Sequence, residues 1–406
     1  MKTVELLAPA GNLEKLKTAL HYGADAVYLG GRLCHLRAGS GNFSDEELSG
    51  AIAWAHARGK KVYITLNTIP HNGELDQLPA YVRFLESVGA DGVIVADLGV
   101  FAVVREESGL PISVSTQASN TNWRSVRAWR DMGASRVVLA REMTLDEIKE
   151  IRDRVPDMEL EVFVHGAMCM AVSGRCVLSN HLTGRDANRG DCAQSCRWRY
   201  AVVEEKRPGQ YMPVIEDERG SYIFSAKDLC AVEFLDRILD AGVDSLKIEG
   251  RMKGIYYVGN CVKVYREAID RWKAGKFAPD PRWLEELAAT SNRLFSPGFY
   301  FGRPGKEGQN DEETQSYFQT KLFVAKVEKK LPDGRYLLAI RNRVVSGQEL
   351  EVVSPRGENR TFTLPAMTLV AADGDTVTEA ANPNSFVKIA CEVVLEEWDM
   401  LRRKLK

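Results

Sequence analysis

Four segments of this chain repeat one short pattern: GADAVYLG at 23–30, GADGVIVAD at 89–97, GASRVVLARE at 133–142 and GVDSLKIEGR at 242–251. In each, a glycine follows an amphipathic stretch such as LPAYVRFLESV, where a left-handed helix C-cap is expected. A run rich in Val, Ile and Leu comes next, as in a strand buried on both faces. Four further runs read as strands: VELLAPA (4–10), KVYITLN (61–67), ISVSTQ (112–117) and LEVFVHG (160–166). Eight strands alternating with helices, joined by right-handed crossovers, close most naturally into a (β/α)8 barrel of TIM type, placed here at 1–300. An open doubly wound sheet is the structural alternative. No GxGxxG and no P-loop follows any strand, which weakens its nucleotide-binding version.

A chain of 406 residues exceeds one such barrel. Helix-like stretches at 256–275 and 281–293 lead to SPGFYFGRPG and the polar KEGQNDEETQ, read as a linker over 301–315. Short alternating segments such as LFVAKVEKK and PDGRYLLAI then predict a small all-β barrel module over 316–406. Its end, EEWDMLRRKLK, reads as a charged tail or short helix, with Arg402, Arg403, Lys404 and Lys406 solvated or touching phosphate. A module this small is expected to serve docking, so the barrel should stay folded without it. Fifty-four Lys plus Arg against 56 Asp plus Glu exclude a wholesale polycation, so a nucleic-acid partner would need a local basic face. No apolar run approaches the roughly 20 residues that span a bilayer, and no signal peptide is read, so a cytoplasmic protein without a membrane partner is expected.

The eight cysteines are unevenly placed. Cys169, Cys176, Cys192, Cys196 and Cys230 fall within 62 residues, where an even spread would put about one. All but Cys230 lie in a long insertion, about 166–221, that follows the seventh strand and so sits at the barrel mouth. A large chain without a signal argues against a disulfide scaffold and for metal or catalytic use. No CxxC pair occurs, which disfavours zinc ribbons. Four thiolates converging there would suit a 4Fe–4S cluster, with tetrahedral zinc as second choice; inert buried cysteines are the bland alternative.

EVFVHGAMCMAVSGRCVLSN closely resembles the signature of the collagenase-like peptidases, unassigned-peptidase family thirty-two. The resemblance continues through NRGDCAQSCRWRY, FSAKDLC and LKIEGRMK and back to LLAPAGN, and the tail resembles that family's small C-terminal β-domain. Although named for proteolysis, the family includes proteins that hydroxylate tRNA, ribosomal RNA and ubiquinone. The resemblance therefore implies an iron–sulfur cluster and oxygen-independent hydroxylation. It also implies a cluster on Cys169, Cys176, Cys192 and Cys230, with Cys196 as an alternative or exchangeable ligand. A barrel with one small β-module looks most like the tRNA branch, which forms 5-hydroxyuridine at the wobble position. That branch implies tRNA as partner and prephenate as a needed co-substrate, with a small-molecule hydroxyl donor whose identity stays open. A collagenase-like peptidase and a non-catalytic RNA-binding or accessory protein are the rival readings, and monomer and homodimer stay open.

Strand ends carry the chemistry of such barrels. Arg251, following Glu249 at the end of the eighth strand, is the first choice for a carboxylate clamp, and an internal pair with Glu249 or another strand-end acid is its plain alternative. His165 precedes the cysteine loop and is a candidate proton donor, or simply orients a backbone carbonyl. Asn67, Gln117 and Lys227 are candidate substrate contacts, each equally able to cap a neighbouring helix. In the insertion, Arg175, Arg185, Arg189, Arg197, Arg199, Lys206 and Arg207, interleaved with Trp198 and Tyr200, form a candidate RNA grip. A salt-bridged surface loop is its counterpart.

Overall fold

The computed structural model describes residues 3–34, 42–169, 171–197, 226–304, 317–371 and 374–405, with short backbone strands between 201 and 222. Seven parallel strands open the chain: β1 (Glu5–Pro9), β2 (Ala26–Leu29), β3 (Lys61–Leu66), β4 (Gly92–Val95), β5 (Ile112–Val114), β6 (Arg136–Val138) and β7 (Glu159–Gly166). After the insertion, β8 (Asp228–Cys230) runs antiparallel to β7, and β9 (Ser245–Ile248) enters between β7 and β1. Leu246 of β9 sits opposite Leu6 on one side and Val162 on the other, which closes the expected eight-stranded barrel.

The repeat has a physical reason. Gly23, Gly89, Gly133 and Gly242 all take positive φ where a helix ends, a conformation costly for any side chain. In three repeats the acid two residues later reaches the preceding neighbour strand. Asp25 accepts from the Leu6 backbone N–H at 2.9 Å, Asp91 from Val62 at 2.7 Å and Asp244 from Leu160 at 2.8 Å. In the fourth, Ser135 donates to the Ile112 carbonyl at 3.0 Å. Each repeat thus ends a helix and locks the start of one strand to the next.

The barrel interior is filled. Leu7, Ala26, Tyr28, Tyr63 and Ile94 form its apolar layer. Nearer the strand starts, Arg136 bridges Glu5 at 2.6 Å and Glu161 at 3.0 Å, and Lys247 meets Glu161 at 2.8 Å. Tyr63 donates to Glu5 at 2.9 Å. Paired charges plug that end and leave the opposite mouth for chemistry.

The C-terminal residues form an antiparallel eight-stranded sheet, with Lys321–Lys330 and Glu349–Val353 flanking Met400–Lys404. The reading of the chain end as a tail or helix is therefore corrected. Alternate residues of LRRK face opposite sides of a strand, and Arg402 is fully buried. It binds Glu286 and Glu351 at 2.7 Å each and the Tyr256 hydroxyl at 2.9 Å. Contacts between barrel and module weigh against a detachable docking module. Tyr22 of the barrel donates to the Val353 carbonyl at 2.6 Å, Tyr256 stacks on Phe323, and Met400 lies against Gly259. The linker reading, 301–315, falls outside the described residues from residue 305 onward. Among the described residues no helix is long and apolar enough to cross a membrane.

Candidate functional site at the barrel mouth

The C-terminal ends of the strands build a polar floor. Asn67, just past β3, donates to Gln117 Oε1 at 2.7 Å, and Ser115 donates to the same oxygen at 3.2 Å. Gln117 sits in a 3-10 turn after β5, and its carbonyl accepts from Arg175 Nε at 2.6 Å. That bond ties the cysteine insertion to the mouth, as does Glu142, which accepts from the Ser173 backbone N–H at 2.8 Å.

Arg251 is 4% exposed. Its guanidinium donates to Thr65 Oγ1 at 3.1 Å and Asn42 Oδ1 at 3.2 Å. Glu249 faces Tyr28, whose hydroxyl lies 3.4 Å from Oε2, and Arg141, whose Nη2 lies 3.6 Å from the same oxygen. Arg141 went unnoticed in the sequence. It falls at the ninth position of the third repeat, GASRVVLARE, level with Gly250 between Glu249 and Arg251 of the fourth, and that register was the available signal. It stacks 3.8 Å over Phe163 and donates to the Ala167 carbonyl. Arg141 and Glu249 thus bring a cation and an anion to one place on the floor, suited to orienting a small polar substrate.

His165 lies in the wall rather than on the floor. It is 1% exposed, its Nδ1 is 3.5 Å from the Tyr265 hydroxyl, and Tyr257 and Phe295 pack on its ring. Burial lowers its pKa to about 4, against the opposing charge of Asp228 and with a small push from Lys253. A neutral, enclosed imidazole holds the wall and has no acidic proton to give near pH 7. The sign of its linkage follows. The unfolded chain takes up the proton from pH about 6.5 downward and the folded chain only below about 4, so stability falls through that window, by about 3 kcal/mol in all. His165→Gln should remove that part of the acid destabilisation, measured as melting temperature against pH. An unchanged profile would show that the imidazole is not what titrates.

The thiols stand on two arms of the same mouth. Cys169 is exposed, and Cys176, Cys192 and Cys196 are half-buried. Asn188 grips Cys176 on both sides, accepting from its N–H at 3.2 Å and donating to its carbonyl at 3.0 Å. Cys230 is buried in β8, opposite His165, with its sulfur 3.9 Å from the Tyr265 hydroxyl. Burial pushes that thiol up to about 12. Among the described residues no three His, Cys, Asp or Glu side chains stand close enough together to hold a metal ion. Five soft sulfur donors fit iron–sulfur or zinc chemistry in kind, but ligation by Cys230 requires its thiol to deprotonate and turn from Tyr265.

A buried ion pair supports this region. Asp228 and Arg293 meet at 2.8 Å, and Arg293 reaches toward the Met168 carbonyl, beside Cys169. Lys227, one residue before, is half-buried. Arg199, Trp198, Tyr200, Lys206 and Arg207, and the side chain of Arg197, lie outside the described residues. The described arginines of the proposed RNA grip are engaged internally: Arg175 on Gln117, Arg185 with Asp191 at 2.7 Å, and Arg189 with Glu74 at 2.8 Å.

Comparison with known proteins places this geometry. The chain is 41% identical over 406 residues to tRNA hydroxylation protein P1 of Bacillus subtilis, covering 99% of this chain and 95% of that one. It is 39% identical to tRNA hydroxylation protein P of Escherichia coli, covering 92% of each. A protein of Porphyromonas gingivalis named collagenase is 35% identical over 74% of each chain. The profile of the peptidase family U32 C-terminal domain matches residues 319–402, and that of peptidase family U32 itself matches 11–310. With a family profile spanning the barrel and its mouth, and near full-length identity above one third, the chain belongs to peptidase family U32.

Proposed function

We propose that this chain hydroxylates RNA, and within that class forms 5-hydroxyuridine at the tRNA wobble position. One observation carries the reading: likeness over nearly the whole length of both chains to proteins named for tRNA hydroxylation. The mouth supports it chemically. Replacing a ring C–H by C–OH oxidises the base, so the hydroxyl donor must be reduced in the same exchange. A small carboxylate such as prephenate is the proposed donor, with Arg141 oriented by Glu249 as its nearest cation and Arg251 as the floor beneath. The proposed cofactor is a 4Fe–4S cluster on Cys169, Cys176, Cys192 and Cys230, with Cys196 as alternative fourth ligand. Such a cluster, when bound, supplies electron transfer or a Lewis-acidic iron.

The peptidase rival would pair Cys169 with His165 as nucleophile and base. The enclosed, neutral imidazole supports that pairing poorly. The test is nucleoside mass spectrometry of tRNA from a strain lacking its own hydroxylation protein and supplied with this chain. Wild type should restore 5-hydroxyuridine, and Cys176→Ala should lose both that product and bound iron. No product with wild type would overturn the hydroxylase reading. Full product with Cys176→Ala would overturn the cluster alone.

A further inference from the structure

The SPGFYFGRPG motif has no part in the floor, yet its turn is built with care. Gly298 and Gly302 both take positive φ, and a Cβ on Gly298 would lie 3.0 Å from Leu229. Tyr300 anchors the turn to the mouth: its hydroxyl donates to the Phe163 carbonyl at 2.6 Å, and its carbonyl accepts from the Leu145 N–H at 3.1 Å. Phe163 is the ring on which Arg141 stacks. The next residue, Phe301, is thereby fixed at the rim with 51% of its surface exposed.

An exposed phenyl ring is common enough; its surroundings here are not those of a stray core residue. Phe234 packs edge-on at 4.8 Å, and the Arg237 guanidinium lies 4.5 Å from the ring centre. Arg303 is exposed two residues further on. Among the described residues neither Arg237 nor Arg303 has a carboxylate partner, although Glu233 stands four residues before Arg237. The turn therefore offers an aromatic ring held rigid by its backbone, with the Arg237 guanidinium against the ring and that of Arg303 exposed two residues on. Unpaired bases stack on such faces while arginines meet the phosphates between them.

We infer that Phe301, with Arg237 and Arg303, is a stacking platform for an unpaired nucleobase of single-stranded RNA entering the mouth. This rests on the RNA reading above and supplies the cationic surface that the internally paired arginines of the insertion do not.

Binding of the full chain to a tRNA anticodon stem-loop and to a blunt duplex of the same stem, followed by fluorescence anisotropy across salt concentrations, tests it. Phe301→Ala should weaken loop binding roughly tenfold, leaving the salt slope and the duplex affinity unchanged. Phe301→Trp should retain wild-type affinity, which separates loss of stacking from loss of fold. Arg303→Ala should lower the salt slope by about 0.7. Wild-type loop affinity in Phe301→Ala overturns the platform, and so does failure of the wild type to bind the loop. If that variant instead loses self-association in sedimentation while binding RNA normally, the face belongs to a second copy of the chain. Hydroxylation without any Phe301 dependence would refute the platform alone, and Phe301-dependent binding without hydroxylation would refute the reaction alone.

Discussion

Asp228→Ala is expected to destabilise the protein by about 3–5 kcal/mol, because it strands a buried guanidinium. Arg293 and Asp228 are both almost wholly enclosed, and two nitrogens of Arg293 donate to Asp228 Oδ1, at 3.0 and 2.8 Å. Asp228 also accepts from the Arg293 backbone N–H at 3.2 Å, so one carboxylate holds both the side chain and its own chain segment. With it gone, the polar contact left in view for Arg293 is the Met168 carbonyl at 3.5 Å. Urea unfolding should show the loss directly, as a lower midpoint at unchanged slope. Replacing both partners, as Asp228→Leu with Arg293→Met, should recover most of it, since an apolar pair of similar volume has no charge to desolvate. If the single variant is as stable as wild type, the pair is not a structural support. The same substitution should loosen the segment carrying Met168 and Cys169, read as faster backbone hydrogen exchange there.

Ending the chain before residue 317 is expected to abolish the soluble, cooperatively folding barrel rather than release it intact. Val353 and Met400 belong to the same apolar core as the barrel helices, so the cut removes packing from helix Ile255–Lys273. It also strips Arg402 from Glu286 and Tyr256, and Lys326 and Arg341 from Glu14, where Lys326 sits at 3.0 Å. Tyr22, wholly buried, loses the Val353 carbonyl it donates to. Uncovered apolar surface and orphaned polar groups act in the same direction. Size-exclusion chromatography and a circular-dichroism melt should report aggregation or a broad, early transition. A monomeric fragment with a sharp melt would mean that the interface is dispensable.

The barrel was legible because its physics is local. A glycine that must take positive φ, an acid two residues on and a short apolar run recur at 23, 89 and 242, and sequence displays such regularity directly. The position of the mouth followed, since strand ends follow from strands, and Glu249, Arg251, Asn67 and Gln117 lie on or just below it. Three things were decided only by chain segments far apart. The last strand looked like a tail because three of its five residues are basic, yet pairing with strands about 50 and 80 residues earlier buries Arg402 between two carboxylates. His165, which the sequence leaves open between proton donor and carbonyl partner, is enclosed by Tyr257, Tyr265 and Phe295, about 90 to 130 residues later, and that burial lowers its pKa. Arg141 became a site residue only when Glu249 and Phe163 closed around it. Periodicity reports which face of an element is apolar; the partner a charge meets depends on tertiary neighbours, and desolvation makes that partner decide whether the charge is support or chemistry.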